Sequence, residues 1–270
     1  MSKTHTPRLR ALIFDVDGTL ADTERDGHRV AFNLAFADAR LPWFWDVERY
    51  GELLGTTGGR ERLLRFFAEE KLPLSTDERN ELARDLHRRK TAHYVQMIAN
   101  GTIAWRPGVQ RLLAEARAAD LQLAIATTTT RANVDALLAQ AGSTSSADAF
   151  AVIGCAEDSE YKKPDPGVYR YVLERLGLQA DECLALEDSA AGLRAACGAG
   201  IATVITLNDY TKMQDFSGAL SVLDHLGDEH SRSHRFAGAP LDSHLVDVDQ
   251  LCRWHRYAAR NLHKETATKA

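Results

Sequence analysis

The first sustained apolar run of the chain covers residues 9–14, is broken only by Arg10, and stops at Asp15. A short continuous run that ends on a charge predicts a strand buried on both faces, as in a parallel sheet. Compact apolar runs recur at 121–126, 149–153, 183–186 and 201–205, and apolar positions take helical spacing over 109–119, 131–141, 166–176 and 190–199. Strand and helix therefore alternate. The pattern predicts an α/β fold, a doubly wound, Rossmann-like parallel sheet with helices on both faces and a ligand crevice at the carboxyl ends of its strands.

Residues 24–100 interrupt this alternation. They hold no strand-like run, but Phe32, Leu34, Ala35 and Phe36 mark one helical apolar face, Leu63, Leu64, Phe66 and Phe67 a second, and Leu82, Leu86, Tyr94 and Met97 a third. An inserted α-helical cap is expected there, with Asp22-Thr23 and Asn100-Gly101 as its hinges. The expected division is an N-terminal extension (1–8), a core (9–23 and 101–227), the cap (24–100) and a C-terminal extension (228–270). Within the last, 228–247 is rich in His, Ser, Arg and Gly and reads as a solvated linker. Residues 248–262 read as a short helix using Leu251, Trp254 and Tyr257.

Charge and cysteine content narrow the function classes. With 33 Lys and Arg against 38 Asp and Glu, the net charge is −5, so no global field attracts nucleic acid or an acidic membrane. An anionic ligand must be held locally. The cysteines, Cys155, Cys183, Cys197 and Cys252, form neither a CxxC pair nor a disulfide framework, which suits a reducing compartment. No apolar stretch is long enough for a membrane span and residues 1–10 lack signal-peptide character, so a cytoplasmic, monomeric protein is expected.

The chemistry lies where the strands end. Asp15-Val16-Asp17-Gly18-Thr19-Leu20 places two carboxylates one residue apart before a glycine that permits a sharp turn. Asp-Gly is also a common turn dipeptide, so the motif gains weight from three further stations. Thr127–Thr130 follow the second strand, Lys163-Pro164 the third, and Glu187-Asp188-Ser189 the fourth. A doubly wound sheet brings these ends into one crevice, where clustered carboxylates require a cation. Mg²⁺ suits oxygen ligands of this kind together with a substrate phosphate.

In these motifs and their order, residues 9–227 resemble the haloacid dehalogenase superfamily. The resemblance implies a Mg²⁺-dependent phosphatase in which Asp15 is the nucleophile, becoming an aspartyl-phosphate and also ligating the metal. Asp17 is then the general acid and base, offering the metal its backbone carbonyl. Asp188 is a metal ligand, with Glu187 supporting it from behind. Thr127, with Thr128 beside it, holds a phosphoryl oxygen, and Lys163 offsets charge, with Lys162 as a neighbour. Dehalogenases of the superfamily lack the second acid, so Asp17 argues for phosphoryl transfer.

The cap should choose the substrate. Glu24 and His28 lie one helical turn apart and follow the catalytic loop, so both can reach the crevice. Gly58-Gly59-Arg60 before a helix can dock an anion on backbone N–H groups and the Arg60 fork, or can be a plain helix start. Arg131 could reach a second phosphate. Together with Trp43-Phe44-Trp45, these runs resemble the CbbY family, which implies hydrolysis of xylulose-1,5-bisphosphate, a Rubisco inhibitor, with Arg60, Arg131 and His28 at the distal phosphate. Three alternatives are a phosphoglycolate phosphatase, a non-catalytic phosphosugar-binding regulator and a β-phosphoglucomutase. The mutase places a cap histidine four residues after the hinge threonine. That position here is Gly27, and His28 should lie about 100° further round a helix.

Overall fold

The computed structural model describes residues 7–101, 103–140 and 146–268, with side chains to residue 260. Residues 1–6 of the N-terminal extension, residue 102, residues 141–145, which include the end of the 131–141 helix, and residues 269–270 lie outside the described residues. Strand β1 (Ala11–Phe14) is wholly buried. A π-helical turn over Glu24–His28 leads into α1 (Arg29–Asp38), followed by α2 (Val47–Leu53), α3 (Gly59–Glu69) and α4 (Thr76–Ala99). The chain then alternates through α5 (Val109–Ala118), β2 (Gln122–Ala126), α6 (Arg131–Ala139), β3 (Val152–Gly154), α7 (Gly167–Leu176), β4 (Cys183–Glu187), α8 (Ala190–Gly198) and β5 (Ala202–Thr206). Strands β6 (Ser221–Leu223) and β7 (Arg235–Gly238) and helix α9 (Val248–Thr268) complete it.

The sheet order is β3-β2-β1-β4-β5-β6-β7, parallel except for the β6–β7 pair. β1 sits between β2 and β4, with Phe14 level with Ile125 and Leu186, so these three strands end together. Alternation along β1 divides the core. Ala11 and Ile13 pack with Val168, Tyr169 and Val172 of α7 and Ala195 and Ala196 of α8, whereas Leu12 and Phe14 join Leu112 and Leu113 of α5 and Leu251 and Trp254 of α9.

Helices α1–α4 build a separate apolar cluster around Phe32, Phe36, Trp45, Tyr50, Phe66 and Phe67. Each such buried side chain contributes about 1.5–3 kcal/mol or more, so this block holds itself together. Ser75 and Glu78 cap α4 reciprocally. Two strands of chain join block to sheet side by side, Ala21 against Trp105 and the Asp22 N–H to the Ala104 carbonyl at 3.4 Å.

Four expectations need correction. Leu34, placed on an apolar face, is 39% exposed. Residues 228–247 are not all linker, because Arg235–Gly238 pairs antiparallel with β6 as an exposed edge. Neither β6 nor β7 exceeds four residues, too short for a period to register. Helix α9 runs to Thr268, and Tyr257 is 51% exposed, because six residues carry it about 240° round from buried Leu251.

Candidate active site

The ends of β1, β2 and β4 set four groups in contact. Lys163 is buried and its Nζ donates to Asp15 Oδ1 at 2.6 Å, Glu187 Oε1 at 2.5 Å and the Ala126 carbonyl at 2.8 Å. Tyr169 of α7 donates its hydroxyl to the same Glu187 oxygen at 2.7 Å. Asp188 Oδ2 accepts from Asn208 Nδ2 at 2.6 Å. Two glycines make room for this packing. Gly18 has φ +87°, and a side chain there would collide with Asp188 and Asn208, while one at Gly192 would collide with the Glu187 carboxylate.

Asp15, Glu187 and Asp188 each present a carboxylate oxygen within 4.8 Å of the others, and all three are buried. Burial pushes the Asp15 carboxyl up to about 7, with Glu187 and Asp17 adding to the rise and Lys163 opposing it. Burial, then the charges of Asp15 and Glu187, hold Asp188 well above the usual carboxylate range. One ammonium does not neutralise three carboxylates. An all-oxygen donor set with this charge surplus fits a hard divalent cation.

Asp17 stands apart from that cluster. Its Oδ1 accepts from Thr23 Oγ1 at 2.5 Å and lies 2.9 Å from His28 Nε2. Burial would raise its pKa, but the charge and hydrogen bond of His28, with Thr23 and Lys90, outweigh burial and hold the carboxyl well below the usual range.

His28 lines the crevice together with Glu24, as expected, but not in the helical phase expected of it. The turn is π-helical, the Arg29 N–H bonding to the Glu24 carbonyl five residues back, so one extra residue is absorbed and His28 faces the site instead of turning away. Gly27 lets the turn pack closely, since a Cβ there would lie 2.7 Å from the Ile103 side chain and 3.0 Å from the Tyr94 ring.

Helices α1–α4 close the crevice into a cavity of about 450 Å³, lined from below by Asp15, Asp17, Thr127, Thr128, Lys163 and Asp188. From above it is lined by Glu24, His28, Gly58, Gly59, Arg62, His87 and Lys90, and Lys162 reaches up from the core to Glu61 Oε2 at 2.6 Å. Arg60 and Arg131 do not line it. Both are exposed, and Arg131 is paired with Asp135 at 2.8 Å. The reason is helical phase: α3 begins at Gly59, so Arg62, two residues past Arg60 and about 200° round, faces inward instead.

Arg62 and Lys90 are the buried cationic residues of the cavity that sequence reading missed. Arg62 is buried, donates to the Tyr50 hydroxyl at 2.6 Å and has its Nε without a partner in the protein. Lys90 is buried over the Phe32 and Tyr94 rings at 5.5 and 5.0 Å, and burial pushes its pKa down to about 8. Burial, then Lys90 and Lys162, likewise bring His87 down to about 4, so it is neutral near pH 7. A signal existed for Lys90. It falls four residues from both Leu86 and Tyr94, a charge on an apolar stripe.

A family model for haloacid dehalogenase-like hydrolases matches residues 9–200. Protein CbbY (plasmid) of Cupriavidus necator is 46% identical over 258 residues, covering 92% of this chain and 97% of that protein. Protein CbbY of Rhodobacter capsulatus is 49% identical over 211 residues, covering 78% and 91%. Among solved structures, an aspartate-to-asparagine variant of CbbY from Rhodobacter sphaeroides in complex with xylulose-(1,5)bisphosphate is 44% identical, with a TM-score of 0.74 over 80% of this chain and 94% of that one.

Proposed function

The chain belongs to the haloacid dehalogenase-like hydrolases, in their CbbY family, and is a phosphatase; on that premise we propose that it hydrolyses xylulose-1,5-bisphosphate to xylulose 5-phosphate and phosphate, with Mg²⁺ as cofactor. One observation carries this reading. The cavity joins a buried carboxylate–ammonium pair, Asp15 and Lys163, to a second cationic wall formed by Arg62 and Lys90. A substrate with a phosphate at each end satisfies both, and a cavity of about 450 Å³ can hold a five-carbon sugar.

In the reaction, Asp15 attacks phosphorus while the bond from phosphorus to the sugar oxygen breaks, and Asp17 gives that oxygen its proton. His28 and Thr23 hold Asp17 ionised beforehand. The approach of a phosphate dianion raises its proton affinity, so Asp17 takes up a proton from solvent as substrate enters. In the second half, Asp17 takes a proton from water, which attacks the aspartyl-phosphate and frees Asp15 and inorganic phosphate. Lys163 fixes the orientation of Asp15 and offsets charge, with Glu187 and Tyr169 holding the ammonium in place. Asp15, Asp188 and the Asp17 carbonyl would hold Mg²⁺, which would supply charge neutralisation at the transferring phosphoryl group. Thr127 and Thr128 hold phosphoryl oxygens, and Glu24, His87, Gly58 and Gly59 shape the sugar site. Helices α1–α4, within residues 24–100, act as the cap, and the enzyme works as a cytoplasmic monomer.

The contact between His28 and Asp17 favours a second reading. The spacing argument against a β-phosphoglucomutase no longer holds, because the π-helical turn restores the cap histidine to the site. Phosphate release from xylulose-1,5-bisphosphate, ribulose-1,5-bisphosphate, glucose phosphates and phosphoglycolate separates these readings. Preference for the xylulose compound, lost on EDTA treatment and restored by Mg²⁺, is expected. Interconversion of glucose 1- and 6-phosphates at a comparable rate would displace the phosphatase reading.

A further inference from the structure

The loop that follows β5 serves both halves of the site. Asn208, two residues after the strand, holds Asp188 Oδ2 through its amide. Tyr210, two residues further on, reaches the underside of the helical block. Its ring meets that of Tyr50 edge to face, with centroids 6.1 Å apart, and lies so close to Gly51 of α2 that a Cβ there would come within 3.1 Å of it. Among the described residues, Tyr210 is the one member of that apolar cluster from outside residues 32–86.

The two contacts are mechanically linked. The Tyr210 N–H donates to Asn208 Oδ1 at 2.9 Å, so the Asn208 side chain is held at one end by the residue the cap touches and at the other by Asp188. The Asn208 N–H donates to Thr211 Oγ1 at 3.0 Å, and Gln214 Oε1 accepts from the Ala190 N–H at 2.8 Å, pinning the loop to the start of α8. An aspartate carboxylate otherwise turns freely about its last torsion, so what holds Asn208 decides how Asp188 is aimed.

Resting on the reading of Asp188 as a ligand of Mg²⁺, we propose that Tyr210 is a positioning residue, through which packing of the cap orients Asn208 and Asp188 and so raises metal affinity. Closure over substrate and completion of the metal site then become one event, because separating α2 from the loop removes the ring's packing partner. By linkage, metal binding favours the closed cap to the same degree.

Calorimetric titration of the full chain with Mg²⁺, in the absence of substrate and alongside a thermal melt, tests this. Tyr210→Ala is expected to bind Mg²⁺ about tenfold more weakly, in the range found when partners behind a ligand are removed. Tyr210→Phe keeps the ring and should match the parent. Gly51→Val, which crowds the ring from the cap side, should weaken binding in the same direction, and Asn208→Ala should add nothing to Tyr210→Ala. Parent affinity in folded Tyr210→Ala, or equal losses in the Phe and Ala variants, overturns the proposal while leaving the metal reading intact. Failure of the parent protein to bind Mg²⁺ overturns both.

Discussion

The floor of the cavity and its roof are built by different rules. In the floor, Asp15, Thr127 and Asp188 follow strands whose register is locked by hydrogen bonds, with Phe14, Ile125 and Leu186 level across the sheet. Their meeting point is set as soon as the strands pair. In the roof, each residue's direction depends on where its helix begins and how it is wound: Arg62 faces in and Arg60 out, and a single π-helical turn decides what His28 touches. Under the proposed function, chemistry rests on register and selectivity on helical phase. Roof residues can therefore change substrate use without dismantling the catalytic groups.

That contrast is sharpest at Asp15, the nucleophile of the proposed reaction. Asp15→Asn keeps the shape but removes the attacking oxygen, and turnover of every phosphate ester is expected to fall by about 10⁴-fold or more with a near-parent melting curve. Turnover within tenfold of the parent would place the covalent step elsewhere.

Roof substitutions should discriminate between substrates. Arg62→Ala and Lys90→Met are expected to lower kcat/KM for the bisphosphate about 10- to 100-fold, since a hydrogen bond to a charged group contributes about 1.5–3 kcal/mol. Turnover of p-nitrophenyl phosphate, which has no distal anion, should change far less; equal losses on both substrates would erase the division between floor and roof. Lys90→Met should also raise the Tm at pH 7. Burial holds the lysine's folded pKa near 8, below its ordinary value of 10.5, so its charge costs stability below about pH 8 and the cost fades as pH rises towards 10.5. A lower Tm would mean that the charge is compensated within the protein.

The same titration gives a subtler effect. Lys90 carries its charge below about pH 8 and loses it above, so KM for the bisphosphate should rise on the alkaline side. Lys90→Met should flatten that rise, and an unchanged profile in the variant would assign it to another group. Least affected should be Arg60→Ala and Arg131→Ala, within about twofold on either substrate, as for exposed surface positions. A selective loss on the bisphosphate would show that these arginines swing inward on binding.

Sequence alone determined the five parallel strands β1–β5 and the floor of the cavity at their ends. Continuous apolar runs mark these strands, whose ends converge in a doubly wound fold, and the meeting of Asp15, Asp17, Thr127, Lys163 and Asp188 around one cavity could be read from their places after those runs. Tertiary structure decided the rest. Whether Arg60 or Arg62 looks inward depends on where α3 starts, which Gly58 and the packing of Phe66 and Phe67 fix together. His28 meets Asp17 because the turn before α1 is π-helical, and Tyr210 joins the cluster built by α1–α4 because the loop after β5 reaches it. Local pattern fixes which face of an element is apolar, but the phase of a helix and the reach of a loop are settled only by what they pack against.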